Sequence, residues 1–255
     1  SDVIILGQPQ ITNIGNEKTR IISFGGDSKI KNFLTAWQEA KKLIEENKYH
    51  IIYTQDVLYC GVLGYFLAKK TNAKFIPQIH GDYLNNPLWI NQRKENVVLN
   101  KVGIWLAKHA DRVRAVSKRI VKQLVEEFGL KSDKVFSLPI GINGDAFNTN
   151  GALAPEDRKK EILFVGRLIP EKEPLFFCDI VIPVLKKYPE FKVIVIGEGY
   201  LKEEMENKFK EAGVLEQVEF TGFLGPFQLA NYYKRAFVYI KTAFWEGWGL
   251  PMVES

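Results

Sequence analysis

The amino-acid sequence predicts an α/β protein of two doubly wound domains, each built on a mostly parallel β-sheet. Apolar, strand-like runs alternate with amphipathic helical stretches along the chain, which is the pattern of strand–helix–strand units. The strand-like runs are mostly apolar, as expected where helices cover both faces of a parallel sheet. A polar, turn-rich stretch at residues 144–160 interrupts this alternation, which then starts again.

The first domain is predicted over residues 1–147. Ser117 is the expected N-cap of one of its helices, because its hydroxyl can accept a hydrogen bond from a first-turn N–H, and Gly129 is the expected end of that helix. The predicted strands cover residues 3–6, 20–24, 50–53, 74–79, 112–116 and 135–138. The predicted helices cover residues 34–47, 57–70, 94–108 and 118–128.

A linker is predicted over residues 148–160 and the second domain over residues 161–255. The predicted strands of this domain cover residues 161–165, 192–196, 218–221 and 237–241, and its helices cover residues 175–187, 201–212 and 226–234. A last helix is expected to begin at Pro251, because proline suits the first helical position. The chain begins without a methionine and stops just inside that helix. We therefore expect a fragment in which both domains are incomplete.

The composition excludes several classes of protein. The 255 residues are 46% hydrophobic and 25% charged, which excludes a disordered, collagenous or disulfide-stapled chain. Cys60 and Cys178 lie far apart and form no close-spaced metal pattern, which suits a reducing compartment. No apolar run approaches the roughly 18 residues that span a bilayer, and no signal peptide opens the sequence. We expect a cytoplasmic protein, with peripheral contact at the inner face of the membrane as a further hypothesis.

Positive charge is concentrated in one region. Residues 92–134 contain eleven Lys/Arg and five Asp/Glu, a balance of +6, whereas the whole chain carries +5. On the predicted helix, lysines recur every seven residues and share one face, at Lys94, Lys101 and Lys108. Apolar residues are expected to line another face, at Val98, Val102, Trp105 and Leu106.

Two interpretations of this basic stripe remain open. It is either a solvated helical face or a surface that meets an anionic partner, such as a membrane leaflet, a phosphorylated acceptor or nucleic acid. Nucleic acid is the least favoured of the three, because no nucleic-acid-binding motif accompanies the stripe. We expect no nucleic-acid partner.

The densest functional signal is a pair of glutamates eight residues apart, Glu246 and Glu254, on either side of a Gly-x-Gly turn. The turn follows a predicted strand and leads into a helix, whose free N–H groups near Gly249 and Leu250 favour an anion. The carboxylates themselves suit sugar hydroxyls, from which they can accept hydrogen bonds. The alternative is that Glu246 is an ordinary loop carboxylate and that Glu254 only interacts with the helix dipole.

Basic residues follow the first strand of the second domain. Arg167 and Lys172 lie beyond its carboxyl end, where doubly wound sheets bind ligands. A guanidinium and an ammonium together can neutralise a diphosphate, although surface ion pairing is the common alternative.

Two further motifs follow strands. Gly197 and Gly199 match only two of the three glycines of a dinucleotide-binding fingerprint. We interpret them as a tight turn that lines a nucleotide pocket. His80 follows the strand at residues 74–79, where a histidine is more often structural than catalytic.

Taken together, these motifs resemble those of family 4 retaining glycosyltransferases, which have the GT-B fold of two Rossmann-like domains. The resemblance covers nearly the whole chain. In the second domain it is carried by residues 165–172, 197–199, 220–223 and 246–254, and in the first by residues 78–81, 110–113, 115–117 and 138–143. The sequence departs from the usual family pattern at Asn143 in place of aspartate, at Glu173 in place of glycine, and at Lys241-Thr242 in place of Pro-Ser.

The resemblance implies roles for individual residues. Glu246 and His80 are the expected catalytic residues, one at the transferred sugar and the other at the donor sugar or the acceptor. The expected donor-diphosphate site consists of Arg167, Lys172, Gly249 and Leu250, and the expected nucleotide and ribose site of Glu254, Gly197 and Gly199. No cofactor and no metal are expected, because positive side chains would take the place of a cation and the sequence contains no Asp-x-Asp element.

The expected reaction is attack by an acceptor hydroxyl on the anomeric carbon of a UDP- or GDP-sugar, with the nucleoside diphosphate leaving. Retention of configuration is implied by the family alone. A glycan or a lipid-linked acceptor in polysaccharide or glycolipid synthesis is expected. A nucleotide-sugar hydrolase or epimerase on the same fold, and a nucleotide-sugar-binding subunit without turnover, remain alternatives.

Overall fold

The computed structural model describes residues 2–6, 20–24, 29–148 and 150–255, with side chains for residues 31–148 and 150–255. Contacts between Cα atoms divide the chain into two compact units, Ser1–Pro139 and Ile140–Ser255. The first unit therefore ends before residue 147, the predicted end of the first domain. The segment after Pro139 packs on the second unit, where the Lys234 ammonium donates a hydrogen bond to the Asn150 carbonyl at 2.8 Å.

The first unit contains two parallel sheets, and helices connect the strands of the larger one. In the described residues, strands β1 and β2 form a two-stranded sheet, and β3 to β6 pair in chain order in a four-stranded sheet. The strands are β1 (Asp2–Leu6), β2 (Arg20–Phe24), β3 (Ile51–Thr54), β4 (Lys74–Ile79), β5 (Val113–Ala115) and β6 (Val135–Ser137). The helices are α1 (Lys29–Glu46), α2 (Tyr59–Thr71), α3 (Pro87–Ile90), α4 (Lys94–His109) and α5 (Lys118–Glu126).

Several local predictions for this unit are confirmed. Strand β4 has the predicted bounds, and every described strand pair in the unit is parallel. Ser117 caps α5, because its Oγ accepts a hydrogen bond from the Ile120 N–H. The short helix α3 was not predicted. Within the described part of the chain, no helix has the length and apolar character needed to cross a membrane.

The predicted apolar face of α4 is wrong at two positions. Leu106 is buried, but the side chains of Val98 and Trp105 are 62% and 46% exposed. Both lie on the same outer face as the lysines of the basic stripe, since residues at helical intervals of three and four share a face. This face is therefore mixed, with apolar and cationic side chains together.

Buried asparagines explain the difference. Asn96 and Asn100 are both buried in α4. The Asn96 amide donates a hydrogen bond to the Trp89 carbonyl at 2.7 Å, and Asn100 accepts one from the Asn85 N–H at 2.8 Å. These bonds satisfy the buried amides and fix the preceding loop. The helix therefore buries the side that carries Asn96 and Asn100, and the side that carries Val98 and Trp105 faces water.

The second unit is a single four-stranded parallel sheet with helices on both faces. Its strands are β7 (Lys159–Val165), β8 (Lys192–Ile196), β9 (Val218–Gly222) and β10 (Ala236–Tyr239). Its helices are α6 (Pro174–Lys187), α7 (Lys202–Glu211), α8 (Pro226–Arg235) and α9 (Leu250–Glu254). One face of the sheet packs on α6 and α7 through a cluster that includes Phe177, Met205 and Phe209. The other face packs on α8 around Leu163 and Ile194.

The strand order of this sheet determines where a site can form. The order is β10-β7-β8-β9. From β7 the chain proceeds to β8 and β9 on one side of β7, and then returns to form β10 on the other side of β7. Ligands of open parallel sheets bind at such a reversal, outside the carboxyl ends of the two strands. The segments that follow β7 and β10 are therefore the ones to inspect.

Candidate active site

The segments after β7 and β10 bring three charged side chains together. Lys172, from the segment after β7, forms an ion pair and hydrogen bond with Glu246 Oε1. The Nζ atom of Lys241, a residue just after β10, lies 3.0 Å from Glu246 Oε2. The side chains of Lys172, Lys241 and Glu246 are 21%, 17% and 23% exposed, respectively. We call these three residues the Lys–Glu–Lys cluster.

The cluster borders a small cavity. Its volume is about 30 Å³, which is room for about one water molecule. It is lined by Phe164, Val165, Gly166, Lys172, Tyr239, Ile240, Lys241, Thr242, Ala243, Glu246 and Pro251. Because sites for small-molecule ligands occupy roughly 300 Å³ or more, a nucleotide-sugar would need the cluster to open or the ligand to extend beyond this cavity.

The lysines keep Glu246 ionised. Burial raises the pKa of the Glu246 carboxyl, but hydrogen bonds and charge from Lys172 and Lys241 outweigh burial and hold that pKa below its usual value. The carboxylate is therefore an acceptor of hydrogen bonds at neutral pH. This agrees with the acceptor role that was predicted for Glu246, which stays a prediction.

Thr242 joins the two segments. Its hydroxyl oxygen lies 2.9 Å from the carbonyl oxygens of both Lys172 and Glu173, to one of which it donates. Lys241 and Thr242 were recognised in the sequence only as a departure from the family pattern. Their contacts with the segment after β7 are tertiary, and no sequence spacing could reveal them.

The other predicted donor-site residues are placed as follows. Arg167 is exposed, and it is not among the described residues that line the cavity. Gly249 is the N-cap of α9, with a φ of 75°, and Leu250 is the first helical residue, so that Pro251 occupies the second position rather than the predicted first. Glu254 ends α9, and burial raises the pKa of its carboxyl.

Gly197 and Gly199 have a packing role that the sequence did not indicate. A Cβ atom on Gly197 would lie 2.0 Å from the Gly166 carbonyl oxygen, and one on Gly199 would lie 2.2 Å from the Leu168 carbonyl oxygen. The turn after β8 therefore supports the backbone of the segment that carries Lys172. Their predicted contact with a nucleotide is a separate matter and stays a prediction.

In the first unit, His80 belongs to a polar network at the carboxyl ends of the strands. Its Nε2 atom lies 3.0 Å from Gln78 Oε1, and since that oxygen can only accept, Nε2 carries the proton. Burial lowers the pKa of the His80 imidazole, and the nearby charge of Arg114 lowers it further. His80 is thus a neutral ring whose Nδ1 atom is a potential acceptor.

Arg114 organises this network and was not predicted from the sequence as a site residue. Its guanidinium donates to Gln78 Oε1 and to the carbonyl oxygens of Leu138 and Pro139, at 2.9 and 3.1 Å. These bonds join the ends of β4, β5 and β6. Within the described residues of the two units, no group of three or more His, Cys, Asp and Glu side chains is arranged to hold a metal ion.

Comparison with protein families decides the membership of the chain. A family model described as Glycosyltransferase Family 4 matches residues 3–145, more than half of the 255 residues. The chain belongs to glycosyltransferase family 4. A second model, described as Glycosyl transferases group 1, matches residues 147–255. The resemblance predicted from the motifs is thereby confirmed.

One curated relative matches most of this family 4 chain. The alpha-monoglucosyldiacylglycerol synthase of Streptococcus pneumoniae is 24% identical over 234 residues, which are 86% of this chain and 52% of that protein. The chain thus spans about half the length of this curated relative. Among solved structures, sucrose-phosphate synthase from Thermosynechococcus elongatus is similar at a TM-score of 0.75 and 19% identity, over 99% of this chain and 68% of that one.

A second similar structure is that of HepE from Anabaena in complex with UDP and glucose. It matches at a TM-score of 0.66 and 15% identity, over 88% of this chain and 61% of that one. At these identities the likenesses concern the fold. They confirm the predicted fold class for this family 4 chain, two Rossmann-like domains of the GT-B type.

Proposed function

We propose that this chain provides the donor site of a glycosyltransferase that moves a sugar from a nucleotide-sugar to an acceptor hydroxyl, without a cofactor or a metal. The observation that carries the proposal is the Lys–Glu–Lys cluster at the strand reversal of the second unit. The cluster combines cations, which suit a diphosphate, with an ionised carboxylate, which suits sugar hydroxyls. Family membership supports the same reaction class.

The chemistry follows from charge. As the bond between the anomeric carbon and the diphosphate breaks, negative charge grows on the phosphate oxygens. The acceptor hydroxyl oxygen bonds to the anomeric carbon, and its proton passes to an oxygen of the departing diphosphate. The Lys172 ammonium and the exposed Arg167 guanidinium would stabilise that charge. Glu246 would accept hydrogen bonds from the transferred sugar, and neutral His80 would contact the donor sugar or the acceptor. Retention of configuration rests on family membership.

We infer a UDP-sugar as the donor and a lipid-linked or glycan acceptor. A solved structure of similar fold holds UDP and glucose, and the pneumococcal relative is named for a glucosyl lipid. Glu254, Gly197 and Gly199 are proposed to face the nucleotide.

Product analysis tests the proposal. The protein is incubated with UDP-glucose labelled in the sugar, together with diacylglycerol or a glycan acceptor, and the expected result is label on the acceptor. Label released as free glucose would instead support a hydrolase, and an epimerised nucleotide-sugar would support an epimerase. UDP-glucose bound without turnover would support a binding subunit. Any of these three results would overturn transfer.

We further propose that the outer face of α4 attaches the protein to an anionic lipid surface. Lys94, Lys101 and Lys108 are exposed and alternate along the helix with exposed Val98 and Trp105. Lysines attract anionic headgroups, and a partly exposed tryptophan suits the boundary between headgroups and acyl chains. The exposed apolar side chains of Val98 and Trp105 between the lysines favour this interpretation over an ordinary solvated face.

Replacing Lys101 by glutamate is expected to weaken binding to vesicles that contain anionic phosphatidylglycerol. A surface lysine contributes about 1 kcal/mol to such binding, and charge reversal removes about twice that, a loss of roughly 30-fold. Vesicle co-sedimentation measures the change. Lys210→Glu, on the exposed face of α7, has the same charge change and serves as the control. Equal loss in both variants, or equal binding to neutral phosphatidylcholine vesicles, would contradict an anionic docking face.

A further inference from the structure

Lys241 contacts the Glu246 carboxylate at a different oxygen from Lys172. Lys172 contacts Oε1 and Lys241 contacts Oε2, so that two ammonium groups share one carboxylate. We propose that Lys241 is a positioning residue of the donor site, which keeps Glu246 ionised and oriented while the donor diphosphate draws Lys172 away. This inference rests on the proposed function, since it assumes that a diphosphate enters the cluster.

The local packing gives the Lys241 ammonium its place. The Ile240 N–H donates to the Leu163 carbonyl at 3.0 Å, which fixes the backbone directly before Lys241 against β7. Gly249 leaves the space for the side chain, since a Cβ atom there would lie 2.8 Å from Lys241 Nζ and 3.4 Å from Glu246 Cγ. The absence of a side chain at Gly249 therefore leaves room for the Lys241 ammonium.

Charge balance explains why one lysine would not suffice. Lysine is a compact charge on a flexible stem, so Lys172 can turn from Glu246 toward a phosphate oxygen. With Lys172 alone, that movement would take a positive charge away from a half-buried carboxylate, and the pKa of Glu246 would rise. A protonated Glu246 would carry an O–H donor and would accept fewer hydrogen bonds from the sugar. Lys241 prevents this, because its contact with Oε2 does not depend on the position of Lys172.

The first test is a carboxylate titration that needs no turnover. The ¹³C chemical shift of the Glu246 carboxyl, assigned through Glu246→Gln, is followed against pH with and without saturating UDP. In Lys241→Met, which keeps most of the stem but removes the charge, we expect the pKa of Glu246 to be higher than in wild type, most clearly with UDP bound. Lys241→Arg should restore the wild-type value, and Lys210→Met should leave it unchanged. An unchanged pKa in Lys241→Met would overturn the inference.

The second test separates positioning from direct phosphate contact. For Lys241→Met we expect kcat to fall by about tenfold or more, on the scale of one lost transition-state contact. The Kd for UDP should stay within about threefold of wild type, because Lys241 acts through Glu246. A Kd weakened as strongly as kcat, or an unchanged kcat, would overturn the inference. If wild-type protein neither binds UDP nor transfers sugar, the proposed function fails, while the titration without UDP still decides whether Lys241 controls Glu246.

Discussion

Replacing Glu246 by glutamine is expected to lower kcat for sugar transfer by about 10²–10³-fold, the loss typical of one preorganised contact at a reacting centre. The amide keeps the shape of the side chain but exchanges one acceptor oxygen for a donor nitrogen, so it pairs poorly with both lysines and with sugar hydroxyls. The fold should survive, because Lys172 and Lys241 are partly exposed and can be solvated when their partner is neutral. Initial rates with labelled UDP-glucose measure the effect.

The same variant should bind UDP more tightly than wild type. Glu246 offers negative charge where an incoming diphosphate would meet Lys172, and its neutralisation removes that competition. The difference should shrink as salt is added, because screening weakens interactions between charges that water can reach. Calorimetric titration at low and high salt measures it.

Glu211→Gln is the matched control, since it neutralises an exposed glutamate at the end of α7. It should change neither transfer nor UDP affinity. If Glu246→Gln transferred sugar at the wild-type rate, the assignment of Glu246 to the transferred sugar would be wrong. If it lost UDP binding together with the fold, Glu246 would be a structural residue.

The strand pattern of the sequence was sufficient to predict the fold. Strands β4 and β8 are mostly apolar and have the predicted bounds, because burial on both faces of a parallel sheet favours apolar residues along the strand. The basic helix was predicted at the correct place, but its orientation was wrong. Burial of Asn96 and Asn100 depends on backbone partners in the preceding loop, and hydrophobic periodicity carries no information about such partners.

The candidate site was predicted in part. Lys172 was chosen from the sequence because ligands bind beyond the carboxyl ends of parallel strands. Glu246 was chosen because it flanks a Gly-x-Gly turn that follows a strand and leads into a helix. The order β10-β7 in the sheet brings Lys172 and Glu246 into direct contact and adds Lys241 to the cluster. Strand order is a long-range property, and the spacing of residues along the chain does not determine it.

Gly197→Ala should destabilise the second unit by about 2–6 kcal/mol, the sum of a strained backbone and an overpacked contact. Its φ of 134° lies in a region that residues with a Cβ rarely adopt. The added Cβ would also meet the Gly166 carbonyl oxygen at 2.0 Å, so one of the two backbone segments must move. The loss is a large share of the 5–15 kcal/mol that stabilises a typical domain.

Three other glycines separate the two causes. Gly199 has the close contact without a positive φ, and Gly213 has a φ of 74° with nothing within 4 Å. Gly141 has neither feature. We therefore expect alanine to cost about 1–3 kcal/mol at Gly199, about 1–2 kcal/mol at Gly213, and less than about 0.5 kcal/mol at Gly141.

Hydrogen exchange followed by mass spectrometry measures these costs within the second unit, because each 1.4 kcal/mol of lost stability speeds exchange from the unfolded state about tenfold. Peptides from β7 and β8 should lose protection in Gly197→Ala, while peptides from β4 should keep theirs. The Gly166 segment leads to Lys172, so weaker UDP binding should accompany the loss of protection. If Gly197→Ala weakened UDP binding while protection stayed at the wild-type level, the glycine would be needed for the nucleotide and not for the backbone packing, as its position after β8 first suggested.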